Sequence, residues 1–197
     1  MAKHHRTHAF VDGAYLRSLA LRHGRPLPNP LALVLGAIGR SALKEWCYRT
    51  PDGSIVEIAR LTYYDARPDE SEGASPNLSS YWDAIETLND CDLGFGSLRG
   101  RPRRQKGVDS LIAVDMLTGA FDQIFDVAVL VAGDADFVPV VQEVKRRGAL
   151  VGLIGEASTT SSDLRRSVDR RYLMPTVNDD DIFPPLHNPG KGFWNAE

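Results

Sequence analysis

Apolar residues along the chain fall in short runs separated by polar breaks, and the runs switch repeatedly between a strand-like and a helix-like period. The clearest run is Val127 to Ala132, six apolar residues in a row. A run of that length and composition reads as a strand buried on both faces, the pattern of a central parallel strand. Residues 8–11 repeat it on a smaller scale, and residues 55–64 alternate and are rich in β-branched and aromatic types, so at least their second half is expected to be a strand ending at Asp65. Further strands are expected over 92–98 and 150–154. Helical spacing covers 14–22, 31–46, 79–88, 108–117, 137–147 and 162–170. Prolines 26, 28 and 30 mark a loop, 49–54 a turn, 69–75 a loop, and 100–106 a polar connector. The helix over 137–147 is well specified: Phe137, Val140, Val141 and Val144 form one stripe, Lys145 to Arg147 suit the negative end of the dipole, and Gly148 is placed to end it.

This alternation predicts an α/β fold, a three-layer α/β/α sandwich on a mainly parallel central sheet. Residues 1–173 read as one domain, and 174–197, rich in proline and asparagine, as an extended C-terminal tail in which Phe193 and Trp194 are candidate anchors. The whole is 197 residues, 43% hydrophobic, which suffices for one good core. Net charge is only −3, so any nucleic-acid signal has to be local. Cys47 and Cys91 lack Cys or His neighbours at metal-ligand spacing, which fits reduced thiols. The basic N-terminus has no apolar core of an export signal, and no run of about 18 apolar residues occurs. The expectation is therefore a cytoplasmic protein with no membrane partner. His4, His5 and His8 look like a metal cluster but are expected to be solvated residues of a loose terminus.

The chemistry concentrates where strands end. Asp134 and Asp136 follow the apolar run directly, and Asp12 with Gly13 follows the first strand. Strand ends are where α/β folds place ligands. One aspartate suffices to cap a helix, so the second of the 134/136 pair needs another explanation, and two like charges at the mouth of a sheet call for a cation. Asp109 opens another helix, so four carboxylates from three places can converge on a divalent ion. Asp12 and Asp109 also have bland readings, as a turn residue and a first-turn acid. Asp115 falls on a wheel between Val108, Leu111 and Ile112, facing a buried stripe about 9 Å along the axis from Asp109, and is expected to be a hydrogen-bonded supporting acid.

Arg99 to Lys106, RGRPRRQK, holds five cations in eight residues, and Arg101, Arg103, Arg104 and Lys106 are candidate RNA-binding residues beside Asp109; a solvated loop is the alternative. Gly94, Gly96 and Gly100 miss the dinucleotide-binding spacing, and neither a Walker A loop nor a G-x-S-x-G elbow is present.

With these motifs assembled, the chain resembles the NYN domain of the LabA type, a branch of the PIN-like ribonucleases. The similarity is carried by F-V-D-G-A-Y-L at Phe10 to Leu16, T-Y-Y-D at Thr62 to Asp65, K-G-V-D-S-L-I-A-V-D at Lys106 to Asp115, V-L-V-A-G-D-A-D-F-V-P at Val129 to Pro139, and S-D-L-R-R-S-V-D at Ser162 to Asp169. The resemblance implies a PIN-like sheet, an acidic pocket for Mg2+ or Mn2+, and endonucleolytic cleavage of RNA, with Asp12, Asp109, Asp134 and Asp136 at the catalytic and metal-binding positions. Asp169 matches a further recurrent acid, for which an ion pair with Arg165 is an adequate explanation. Two positions depart: Tyr15 stands where relatives often have Asn, and Ala132 where they often have Ser, each removing a small polar group near the pocket. Alternatives are a non-catalytic RNA-binding or scaffold protein on the same fold and, ranked last, a D-x-D phosphatase, whose motif normally opens its domain. PIN-like domains often pair, so a homodimer is a candidate assembly.

Overall fold

The computed structural model describes residues 4–31, 33–34, 55–67, 76–99 and 104–173. Strand β1 (His4–Asp12) leads into helix α1 (Gly13–Arg22), followed by β2 (Ile55–Arg67), α2 (Pro76–Glu86), β3 (Cys91–Arg99) and the short β4 (Arg104–Lys106). Helix α3 (Val108–Phe121), β5 (Val127–Val131), a 3-10 turn at Ala135–Phe137, α4 (Val138–Arg146), β6 (Leu150–Gly155), α5 (Ser162–Ser167) and β7 (Arg170–Leu173) complete the order.

The strands form one seven-stranded sheet in the order β4-β3-β2-β1-β5-β6-β7. Every neighbouring pair is parallel except β3 with β4. From β1 the chain builds outward through β2 and β3, then returns to the other side of β1 with β5 and builds the opposite way. Right-handed crossovers in opposite directions put their helices on opposite faces. One core accordingly joins α1 and α2 to Ala9, Val11, Leu61, Tyr63, Val127, Val129 and Val131. The other joins α3, α4 and α5 to Phe10, Tyr64, Ala128, Leu130, Val151 and Leu153. Alternate residues of β5 thus feed two cores, which is why its sequence is apolar throughout. Each fully buried Val or Leu there stabilises by about 1.5–3 kcal/mol.

The turn from β1 into α1 requires glycine. A Cβ on Gly13 would lie 2.6 Å from the Tyr63 ring and from the Tyr64 carbonyl. The D-G pair therefore records how tightly β1 hands over to α1 against β2.

Several expectations are corrected. The connector over 100–106 contains β4, paired antiparallel with the end of β3. The expected helix over 162–170 stops at Ser167, and the chain re-enters the sheet as β7. Asp169 sits between the two, bound to Lys145 Nζ at 2.9 Å and to the Val151 amide at 2.9 Å, so Lys145 rather than Arg165 is its ion-pair partner. The helix over 137–147 begins with a 3-10 turn. The terminal histidines are not a loose segment: β1 starts at His4, because residues 4–7 pair with 55–58 of β2. His8 is half-buried, stacked 4.2 Å from Phe10 and bonded to Thr62 Oγ1 at 3.0 Å, and burial first, then the Arg60 charge, lower its imidazole to about 4. Most of the helix expected over 31–46, the turn at 49–54, the loop at 69–75, Cys47, Arg101, Arg103 and the tail with Phe193 and Trp194 lie outside the described residues.

Candidate functional site

β1 and β5 are adjacent and their connections depart in opposite directions, so their carboxyl ends form the sheet's switch point, the place where folds of this kind bind ligands in a crevice. Asp12 ends β1, and Asp134 follows β5 by three residues. Both serve as local caps. Asp12 Oδ1 accepts the amides of Ala14 at 2.9 Å and Tyr15 at 3.2 Å, and Asp134 Oδ1 accepts the amide of Asp136 at 3.0 Å. Capping therefore occurs, as the bland reading of the 134/136 pair has it and in place of the turn role expected of Asp12, yet it uses one oxygen of each carboxylate. Asp136 is exposed in the first turn of the 3-10 segment.

Asp109 comes to the same place from the other side of the chain. Gly107, at φ 85°, turns the backbone out of β4 into α3 and puts Asp109 in the helix's first turn. Its side chain is exposed, but partial loss of hydration at the crevice wall raises its carboxyl pKa, and the charges of Asp134 and Asp136 raise it further. Asp12 is pushed up to about 6, by burial first, with the Asp109 charge adding to it and the amide hydrogen bonds and Arg17 opposing it. Asp109 thus links the four acids: it acts on Asp12 and is acted on by Asp134 and Asp136. Among the described residues, no three His, Cys, Asp or Glu side chains stand close enough together to hold a metal ion as they are turned here. The donor chemistry still fits a hard divalent cation, since all four groups are carboxylates, none of Asp109, Asp134 and Asp136 is ion-paired among the described residues, and their mutual repulsion favours a counter-charge.

The remaining sequence candidates lie as follows. Asp115 accepts the Tyr64 hydroxyl at 2.8 Å, so it is hydrogen-bonded; it is exposed, however, and does not face a buried stripe. Arg104 and Lys106 are on β4, at the sheet edge that leads to Asp109, with their backbones paired to β3.

Two arrangements at these strand ends carried no local sequence signal. Asp65, fully buried, does not end the strand as expected, since β2 runs on to Arg67; it is ion-paired with Arg17 of α1 and takes the Trp82 indole N–H at 2.9 Å. Tyr15, whose ring lies 2.6 Å from where a Cβ on Gly133 would be and whose hydroxyl lies 2.9 Å from where a Cβ on Gly155 would be, fills the space between the ends of β5 and β6. Its hydroxyl accepts the Glu156 amide at 3.0 Å and bonds Thr159 and Thr160 hydroxyls at 3.0 and 2.8 Å. Tyr15 therefore adds a polar group in place of the one its substitution removes, directed at the loop after β6. Ala132 is fully buried in the core under α3 and α4. Glu156, also buried, is bonded by Ser158 Oγ at 2.6 Å and His23 Nε2 at 3.1 Å, and these bonds, Ser158's first, hold its carboxyl below the usual range despite burial.

No helix among the described residues is long and apolar enough to cross a membrane. A curated protein of Sinorhizobium fredii, "Uncharacterized protein y4oD", is 34% identical over 115 residues, covering 51% of this chain and 53% of its own length. The chain thus spans about half the length of that relative. The crystal structure of a protein of unknown function, VPA0982 from Vibrio parahaemolyticus, superposes with a TM-score of 0.60 at 17% identity, covering 93% of this chain and 99% of the other, which shows a shared fold. The model of the NYN domain matches residues 31–174, a span holding Asp109, Asp134 and Asp136 but not Asp12. With that match over most of its length, and with a mainly parallel α/β/α sandwich beneath it, the chain belongs to the NYN domain family.

Proposed function

We propose that the protein is a metal-dependent endoribonuclease of the LabA-like type, acting in the cytoplasm through a domain over residues 1–173 with a tail over 174–197. The NYN domain places it in a nuclease-like superfamily. One observation carries the finer reading: four carboxylates, from β1, from α3 and from the loop after β5, are coupled at the sheet's switch point, and among the described residues none of Asp109, Asp134 and Asp136 is ion-paired. Asp12, Asp109, Asp134 and Asp136 would hold Mg2+ or Mn2+. A divalent ion held there would lower the pKa of a water and supply a counter-charge for the phosphoryl and leaving oxygens. The chain's own residues do the rest. The caps fix one oxygen of Asp12 and one of Asp134, leaving the other oxygen of each for the crevice. Arg101, Arg103, Arg104 and Lys106, flanking Asp109 in sequence, would hold the RNA backbone.

Asp134→Asn and Asp136→Asn are expected to lower Mn2+-dependent cleavage of single-stranded RNA by about two orders of magnitude or more while the melting temperature does not fall. A variant as active as wild type removes the assignment. A second reading, RNA binding without turnover, is favoured by Tyr15 occupying the space between the β5 and β6 ends and by acids that are not turned into a ligating set. It predicts salt-sensitive binding and no cleavage with either metal.

A further inference from the structure

A row of interactions leads from the acidic crevice across the carboxyl ends of β2 and β3. Asp12 lies within the field of Arg17, and Arg17 is ion-paired with Asp65. Asp65 takes the Trp82 indole N–H at 2.9 Å, and the Trp82 ring meets Phe95 edge-on at 5.0 Å. The Arg67 guanidinium then lies over the Phe95 ring at 3.9 Å and 5.9 Å from the Trp82 ring centre. The pleat explains the row: Tyr63, Asp65 and Arg67 point to the same face of β2, and the pairing of Asp65 with Phe95 puts the aromatic ring beside them. Arg67 is three residues past Tyr64, which pairs with Asp12, so it stands about 10 Å farther along the strand than the crevice acid.

Arg67 differs from the other cations of this region. Arg17 is mostly buried and committed to Asp65. Arg67 is exposed, has no ion-pair partner among the described residues, and is held flat by an aromatic ring beneath it. A stacked guanidinium is pre-organised: its outward face is a flat surface for another π system, and its edge N–H groups are open to a phosphate. A base and the phosphate attached to it satisfy both at once.

We propose that Arg67, laid over Phe95, is a nucleotide subsite for single-stranded RNA: the base of a nucleotide flanking the cleaved bond stacks on the guanidinium, and a neighbouring phosphate takes its N–H groups. This rests on the nucleolytic reading for the identity of the strand, but its geometry stands apart from the four acids. A duplex is not accepted, because its bases are already stacked on one another.

The test is equilibrium binding of a fluorescein-labelled oligouridine to the full chain in EDTA, so that nothing is cleaved, across rising KCl. Arg67→Ala is expected to weaken binding about tenfold, the loss of one base stack. It should also flatten the plot of log affinity against log salt by about 0.7, the loss of one phosphate contact on a single strand. Arg67→Lys should restore the slope and leave most of the affinity loss, since the charge returns without the flat face. Affinity for duplex RNA of the same length should be the same for wild type and Arg67→Ala. Wild-type affinity and slope in Arg67→Ala, an equal loss on duplex, or a wild type that does not bind oligouridine would each overturn the subsite. Asp134→Asn separates the two readings: if it cleaves like wild type the hydrolytic assignment fails, while the oligouridine titration still decides the role of Arg67.

Discussion

Two neighbouring strands of the sheet carry aspartates at or near their carboxyl ends, and the molecule treats them in opposite ways. Asp65, near the end of β2, is fully buried and neutralised by Arg17 and the Trp82 indole. Asp12, at the end of β1, is partly buried and faces Asp109, with its carboxyl pushed up to about 6. Similar backbone placement therefore yields one acid paired with a cation and one that, among the described residues, has no ion-pair partner and lies under the charge of another carboxylate. Buried charges that serve structure are paired; those left unbalanced in a crevice mark the place where a ligand completes the set.

The largest effect that tests this contrast comes from the balanced side. Asp65→Ala leaves the Arg17 guanidinium, 27% exposed, without its carboxylate and the Trp82 N–H without an acceptor. A broken buried pair costs about 3–5 kcal/mol, and partial exposure of Arg17 puts the expected loss near 3. Denaturant midpoints measure it. A loss below about 1 kcal/mol, the range of surface pairs, would mean that Asp65 is not the structural member of the two.

Asp12→Asn should act in the opposite direction. Because the native carboxyl is raised from its ordinary value to about 6, the folded state holds a proton that the unfolded chain releases. Stability therefore falls as pH rises from about 4 to about 6, and the cost stays constant above that. Asn keeps both cap hydrogen bonds, since its side-chain oxygen accepts as the carboxylate does. The variant should be more stable than wild type by about 2 kcal/mol near pH 7, a two-unit shift discounted for partial exposure, and equal to it below about pH 4. Mn2+ should raise the melting temperature of wild type near neutral pH and much less that of Asp12→Asn. A wild type as stable at pH 7 as the variant, with no response to Mn2+, would erase the contrast between the two strand ends.

These two aspartates also show what the chain disclosed before folding and what it did not. Asp12 was legible because a short apolar run, Ala9 to Val11, an acid and a glycine are consecutive, and Asp134 because β5 is apolar from end to end. Asp65 was legible only as a strand end. Its partners lie 48 and 17 residues away, and nothing local marks a residue that far off as an ion pair. The missed strands share a cause as well. β7 reads Arg-Arg-Tyr-Leu and β4 Arg-Gln-Lys, short edge strands with few apolar positions, whose pairing is set by the neighbour rather than by their own pattern. His4 to Thr7 are strand because β2 extends to Ile55 beside them. Asp115 was misplaced for a different reason: its helix is apolar on so many sides that the wheel gives no sharp buried face, and Asp115 is exposed while it accepts the hydroxyl of the buried Tyr64.

The smallest expected effect separates the two ends most finely. Tyr15→Phe keeps the ring against Gly133 and removes only the hydroxyl, which lies beside Gly155 and binds the Glu156 amide, Thr159 and Thr160. Trp82→Phe removes only the indole N–H that binds Asp65, at the cost of some ring volume. Each leaves a polar group short of a partner, and each should cost about 1–2 kcal/mol. Their consequences for the crevice should differ. The Ser161 amide bonds the Gly133 carbonyl at 2.8 Å, so loosening the loop after β6 reaches the residue that precedes Asp134. Loss of a group that orients a ligand typically lowers metal affinity about tenfold, and Tyr15→Phe should show a loss of that order for Mn2+ in calorimetric titration. Trp82→Phe should leave Mn2+ affinity as it is, because Asp65 spends its charge on Arg17. Equal Mn2+ affinities in the two variants would mean that Tyr15 supports the fold in the same way Trp82 does, and that the β5–β6 side of the crevice needs no hydroxyl to hold its acids in place.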